Sequence, residues 1–475
     1  MALTEGTTTG QETAEGRPVH RGAILAIILV SYFMIILDNS IIFTGLPAIE
    51  RTMGFSPTEL AWVQDAYTLT FGGALLLGAR AGDIVGRRRM FIAGLVVFTF
   101  ASVLVGASPA GWWMVAARAL QGIGSAVLAP SSLSLLTATF EEGPARDRAV
   151  ALYAAVAGIG ASLGLVVGGT MADLLSWRAG FYLNFPIGVA MIAMGVRFIP
   201  QMGRGRGRFD VAGALLSTLG MGALVFAIVS SADYGWAAPQ AWAPLAAGIL
   251  LLGLLVLNEA RTAQPIMPLG LFRNRVRVGS YTVRMLYMAA MMGFFYFTTQ
   301  FLQEVLHWSP LQAGAGFLPM SALNFAVAMA APRLVARFGA RLVLLAGVVL
   351  TFAGMLWLSQ AGAGSEYLMA VAAPMVVIGV GQGLALAPMT GLAITGVAPS
   401  EAGAASGVVN TFHQLGSSVG LAVLVAVGSG AAGDAMDPAA VGSRVHSALE
   451  AASVILAAAV VLVVALVLPR TRHTR

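Results

Sequence analysis

Asp38 stands inside Ile24 to Thr44, an otherwise almost wholly apolar stretch long enough to cross a bilayer. A carboxyl group kept in hydrocarbon is expensive, and such residues mark proton or ligand chemistry by default. Arg118 stands in a second apolar run, 112 to 138. At 1.5 Å per residue both lie roughly 10 Å from the outer ends of their helices, so they can meet. Two readings of Asp38 stand: an ion pair that holds the first helix, or a proton carrier, which we favour. Proton affinity depends on hydration and on the distance to Arg118, so alternation between two access states can load and release a proton. Arg118 divides evenly between a coupling role and simple neutralisation of Asp38. Asp65 lies at a similar depth in the run 59–80, within Trp62-Val63-Gln64-Asp65-Ala66-Tyr67, as a cation-attracting or second proton site or as a vestibule residue in water. His413, nine or so residues into a late span, can bind substrate or a proton, although a packing histidine explains it as well. Asn410 and Gln414, one turn apart beside it, can flank a ligand on one face. Arg284 can snorkel to the nearer surface.

These residues need a membrane frame, and the composition supplies one. The 475 residues are 58% hydrophobic and 10% charged, with a mean hydropathy of +0.84, too little polar surface to cover a soluble globule. The net charge of +6 resides in short basic clusters between apolar runs, where it sets topology rather than binding nucleic acid. All 27 basic residues are arginine and there is no cysteine, which excludes disulfides, thiolate metal sites and cysteine nucleophiles. The five histidines lack ligand spacing, so neither a metal nor another cofactor is expected. Residues 1–20 are polar and turn-rich and are expected to form a disordered cytoplasmic tail.

Apolar runs of about twenty residues give fourteen spans, at 22–45, 59–80, 90–107, 112–138, 149–172, 180–199, 210–231, 243–261, 278–303, 311–331, 342–359, 367–393, 404–428 and 449–468. With the N-terminus inside, 22 arginines are cytoplasmic, three are external (Arg51, Arg178, Arg444) and two lie within spans. An odd number of helices would put the C-terminal arginines outside. The chain also repeats at an offset of about 255 residues, the mark of a duplicated fold. Gly160 to Leu165 recurs as Gly416 to Leu421, Gly122 to Pro130 is echoed by Gly381 to Pro388, and the loop Ala79 to Arg87 returns as Pro332 to Ala340, with Gly86 matching Gly339. The expected organisation is a tail (1–20), an N-terminal six-helix bundle (21–200), an inserted helix pair with its loops (201–277), a C-terminal six-helix bundle (278–468) and a cytoplasmic tail (469–475).

Five stretches together resemble the major facilitator superfamily, and within it the fourteen-helix drug:proton antiporters. Leu37 to Ile42, ending at Leu46-Pro47, is similar to the family's first-helix signature. Ala79 to Arg89 is similar to the loop between helices two and three: Asp83 faces a helix end, Gly86 permits a tight reversal, and Arg87 and its neighbours sit at anionic headgroups. Ile84 replaces that loop's arginine. Arg118 to Gly124 resembles the family's intramembrane arginine motif. Gly160 to Gly169 resembles the antiporter motif of helix five, where Gly160, Gly164, Gly168 and Gly169 let a neighbouring backbone approach and rock, with Leu165 in place of a proline. Trp177-Arg178 followed by Asn184 to Gly188 is similar to the family's passage into helix six.

The resemblance implies an all-helical, multi-pass protein of the bacterial inner membrane, both termini cytoplasmic, that alternates access to a central cavity. It implies export of hydrophobic or amphipathic small molecules such as antibiotics in exchange for protons, by a monomer whose partners are substrate, protons and lipid. No lysine means no phosphate-binding loop, so ATP drive is unsupported. Import or facilitated diffusion of a metabolite on the same scaffold is the second reading. An embedded enzyme or sensor is a remote third, since no nucleophile and base pairing is apparent.

Overall fold

The structure, a computed structural model, describes residues 20–468 except 142, 202–209, 263, 264, 266, 363, 398–401 and 433–437, and the side chains of a few further helical residues, Asp83 among them, are also outside the description. The expected tails, apart from His20, and the arginines Arg204, Arg206 and Arg208 therefore lie outside the described residues.

The described chain is helical throughout. In order run α1 (Arg21–Met53), α2 (Pro57–Val85), α3 (Arg87–Gly106), α4 (Gly111–Thr139), α5 (Pro144–Leu174), α6 (Trp177–Phe198), α7 (Val211–Tyr234), α8 (Pro239–Arg261), α9 (Arg275–Val305), α10 (Pro310–Phe338), α11 (Ala340–Leu358), α12 (Leu368–Ile394), α13 (Ala402–Ala432) and α14 (Ala439–Val467). Twelve of these are long and apolar enough to cross a membrane. α2 and α5, with 29 and 31 residues, match them in length.

Local chemistry sets the ends. Ser56 and Glu59 form a reciprocal capping box ahead of α2, with Pro57 preset for the first turn, and Ser309, Gln312 and Pro310 repeat the device at α10. Asp210 and Asn274 cap α7 and α9. Gly86 (φ 113°) and Gly339 (φ 84°) occupy backbone conformations that disfavour a side chain, at the matching turns α2–α3 and α10–α11. α1 continues through Pro47 to Met53, beyond the expected 45. α14 begins about ten residues before the expected 449, because Arg444, which made that stretch read as a loop, is buried within the helix.

Helix pairings repeat between the two halves of the chain. α1 packs on α4, α5 and α6, while α9 packs on α12, α13 and α14. α4 lies against α2 and α3 as α12 lies against α10 and α11. Two seams join the halves, α2 with α13 and α5 with α10. The second is concentrated at one end, where a side chain at Gly169 would come within 2.9 Å of Leu311 and the backbone of Gly314 abuts that of Leu165. At that end Arg51 also pairs with Glu304 (3.1 Å), and Asp173 accepts from Ser309 (3.0 Å). α7 and α8 pack on each other, and α7 lies against both α2 and α13.

Candidate functional site

α1 carries Asp38 to the centre of the first half because α5 lets it come close. Side chains at Gly160, Gly164 and Gly168 would meet Ile36 at 3.0 Å, Ser40 at 2.5 Å and Ile41 at 2.7 Å, so a glycine stripe on α5 seats the turns of α1 on either side of the acid. α4 brings Arg118 to the same point from the opposite side. Arg118 Nη1 donates to Asp38 Oδ2 at 2.8 Å, and both residues are fully buried.

The pair is enclosed by neutral groups that complete its hydrogen bonding. Gln121 Nε2 and Asn184 Nδ2 each donate to Asp38 Oδ1 at 2.8 Å. Arg118 Nε donates to the Val63 carbonyl (2.9 Å), Nη1 also reaches Gln121 Oε1 (2.8 Å), and the Tyr67 ring lies 4.3 Å beneath the guanidinium carbon. Asn184 in turn donates to Ser102 Oγ (2.9 Å), Tyr67 is within 2.9 Å of Ser125 Oγ, and Gln64 donates to Asn39 Oδ1 (2.8 Å). Helices α1, α2, α3, α4 and α6 therefore meet in one polar network, buried except at Asn39. A buried ion pair of this kind is stable only while every partner is in place, and displacement of one helix must be answered by water or a proton.

The other sequence-singled residues lie elsewhere. Asp65 is fully buried on α2, facing α13, and neither carboxyl oxygen has a hydrogen-bond partner among the described residues. Ser418 on α13 is close enough to act on it, but not at hydrogen-bonding geometry. Gln414 packs on α2 at Gly72, one turn from Asn410, whose amide donates to its own helix at Ser406. His413 meets Arg284, with Arg284 Nη2 3.0 Å from Nδ1. Arg87 donates to the Ser134 carbonyl (3.3 Å), tying the α2–α3 turn to α4. The Asp83 side chain is outside the described residues. Among the described residues no group of histidines and carboxylates could hold a metal ion.

Gln121, Asn184, Gln64 and Tyr67 were not singled out as site residues from the sequence. All four stand within stretches singled out for other residues, Gln121 beside Arg118, Gln64 and Tyr67 beside Asp65, and Asn184 after Trp177-Arg178, and their one signal is an amide or hydroxyl within an apolar span.

A family model described as Major Facilitator Superfamily matches residues 28–421. The chain is 37% identical over 441 residues to the cephamycin export protein of Amycolatopsis lactamdurans, covering 91% of this chain and 90% of that one. It is 39% identical over 414 residues to the puromycin resistance protein of Streptomyces alboniger, covering 86% and 82%. In structure it is similar to the crystallised nucleoside transporter NupG, with a TM-score of 0.68 at 10% identity, covering 94% of this chain and 99% of that one.

Proposed function

The chain belongs to the major facilitator superfamily, and from that premise we propose that it exports antibiotic-like small molecules across the bacterial inner membrane by exchanging them for protons. The relatives named for cephamycin export and puromycin resistance support the export reading along most of their length. The observation that carries the coupling reading is the sealed Asp38–Arg118 pair, a salt bridge at 2.8 Å drawn from two helices and completed by amides from α4 and α6.

The fourteen helices are read as fourteen spans, α2 and α5 included, in two six-helix bundles with α7 and α8 between them. Both termini face the cytoplasm, so the Met53 end of α1 is external. On this reading the Arg51–Glu304 and Asp173–Ser309 contacts tie the halves at the outer end and support a state closed to the outside. Opening the outer side separates α5 from α10 and disturbs α1, which the α5 glycines grip around Asp38. Water admitted to the pair then lets Asp38 exchange a proton, and Arg118 reclaims the carboxylate when the halves close. Asp65, without a partner at the α2–α13 seam, is a second proton or cation site, and Asn410, His413 and Gln414 belong to the substrate path.

Everted membrane vesicles carrying the protein should move a transported antibiotic in response to an imposed pH gradient, and an uncoupler should abolish the movement. Movement indifferent to the uncoupler defeats proton exchange.

A further inference from the structure

α9 carries a cation that the Asp38 network does not use. Arg284 lies nine residues into α9, about 14 Å from its start and close to the middle of a bilayer core. Its Nε and Nη2 lie 3.2 and 3.0 Å from His413 Nδ1 on α13, and Nη1 donates to Thr390 Oγ1 on α12 at 3.1 Å. These partners are a neutral ring nitrogen and a hydroxyl. Among the described residues no carboxylate forms an ion pair with Arg284, whereas Arg118 has Asp38 and Arg51 has Glu304. Asp38 is held by Arg118, and Asp65 has no hydrogen-bond partner among the described residues.

The surroundings suit a ligand better than a helix contact. A guanidinium can only donate, so His413 Nδ1 must accept, which leaves the imidazole proton on Nε2. No described group takes that proton. Arg284, His413 and Thr390 keep exposed surface although helices α9, α12 and α13 converge on them; the Thr390 hydroxyl is spent on the Leu386 carbonyl (3.0 Å), so the donors left over are those of Arg284 and His413. From the other half, α1, which carries Tyr32, touches α9. The Tyr32 ring stacks on Tyr153 of α5, 3.9 Å between centroids and 12° from parallel. Spare N–H donors on α9 and α13 and an aromatic pair on α1 and α5 thus lie in opposite halves joined by the α1–α9 contact.

We propose that Arg284 and His413 bind the anionic group of an amphipathic organic acid, a carboxylate or sulfonate, whose apolar body lies against Tyr32 and Tyr153. This rests on the export reading and specifies its substrate class: acids are taken in preference to neutral compounds or cations of the same skeleton. A guanidinium offers a carboxylate two parallel hydrogen bonds, and in a site shielded from bulk water each is stronger than a neutral one.

The test uses the full chain in detergent and two fluorescent probes on one skeleton, 7-diethylaminocoumarin-3-carboxylate and its N-methyl amide. The wild type should bind the acid about ten-fold more tightly than the amide, the discrimination of one charge-assisted interaction. Arg284→Gln should reduce that ratio to within about two-fold, and Arg284→Lys, which keeps the charge but not the paired donors, should fall between the two. A purely structural arginine would weaken both probes alike and leave the ratio unchanged. Equal binding of the two probes by wild type, failure to bind either, or a ratio that survives Arg284→Gln overturns the subsite. Export is read separately, as uncoupler-sensitive resistance of cells carrying wild type. Lost discrimination with export intact defeats the subsite alone, whereas absent export defeats the reading on which it rests.

Discussion

Substituting Asp38 by asparagine separates charge from shape at the centre of the first bundle. The amide keeps one oxygen for Gln121 or Asn184, which both stand 2.8 Å from Oδ1, but Arg118 Nη1 loses the anion it now meets at 2.8 Å. Breaking a buried pair from one side costs about 3–5 kcal/mol, because the surviving charge is left uncompensated. Arg118 retains the Val63 carbonyl, the Gln121 amide oxygen and the face of Tyr67, so the lower end, about 3 kcal/mol, is expected. Adding Arg118→Gln to Asp38→Asn removes the stranded cation, so the double variant should recover much of that loss, with a coupling of about 2 kcal/mol in the double-mutant cycle. Unfolding in detergent micelles reads the stability, and pH-driven transport in everted vesicles reads the function. Asp38→Asn should insert, purify as a folded protein, unfold more easily than wild type and show no gradient-driven transport. Singles whose effects add to within about 0.5 kcal/mol would show that the pair is not an energetic unit. Coupled transport by Asp38→Asn would remove the acid from the mechanism.

Other expectations follow from neighbouring features. Asp65→Asn should leave stability unchanged or raised, since no hydrogen bond to the carboxyl is lost, while altering the pH response of transport; a clear fall in melting temperature would reveal a hidden partner. Gly164→Leu should destabilise the protein by at least 1–3 kcal/mol, roughly the cost of overpacking, because even a methyl there would lie 2.5 Å from Ser40 Cβ; unchanged unfolding would mean that α1 and α5 are not seated as described. Asn184→Ala should cost about 1–2 kcal/mol by removing one donor to the buried carboxylate, read as an unfolding shift. Arg51→Ala should change stability by less than about 1 kcal/mol, since that pair is partly exposed, yet should speed labelling of cysteines placed at the Met53 end; unaltered labelling would argue that Arg51–Glu304 is no latch.

Much of the frame was legible because hydrocarbon imposes one rule at every position: about twenty apolar residues per crossing, with charges outside. The expected spans fall within a few residues of the observed helices except where that rule is locally broken. α14 was started late because Arg444 and His446 look like loop residues, and α1 was stopped early because Pro47 and Glu50 look like an end. Asp38 and Arg118 could be picked out because a charge in such a run is conspicuous. Gln121 and Asn184 could not be given their roles, since a neutral amide announces no partner, and their meeting depends on how α4 and α6 rotate against α1. The same limit hid the link between Arg284 and His413, 129 residues apart in sequence.

The two seams between the halves differ in what stands behind them. Along α2 and α13, helix α7 lies across the join, with Thr218 crowding Gly73 and Met221, Val225 and Val229 clustered with Leu69 and Ala422. Along α5 and α10 the halves touch chiefly near Gly169 and Leu311, and the remainder of that groove has no helix placed over it among the described residues. Oily molecules diffusing in the surrounding lipid therefore meet a shuttered flank and an unshuttered one, and any sideways admission to the interior is biased towards the latter.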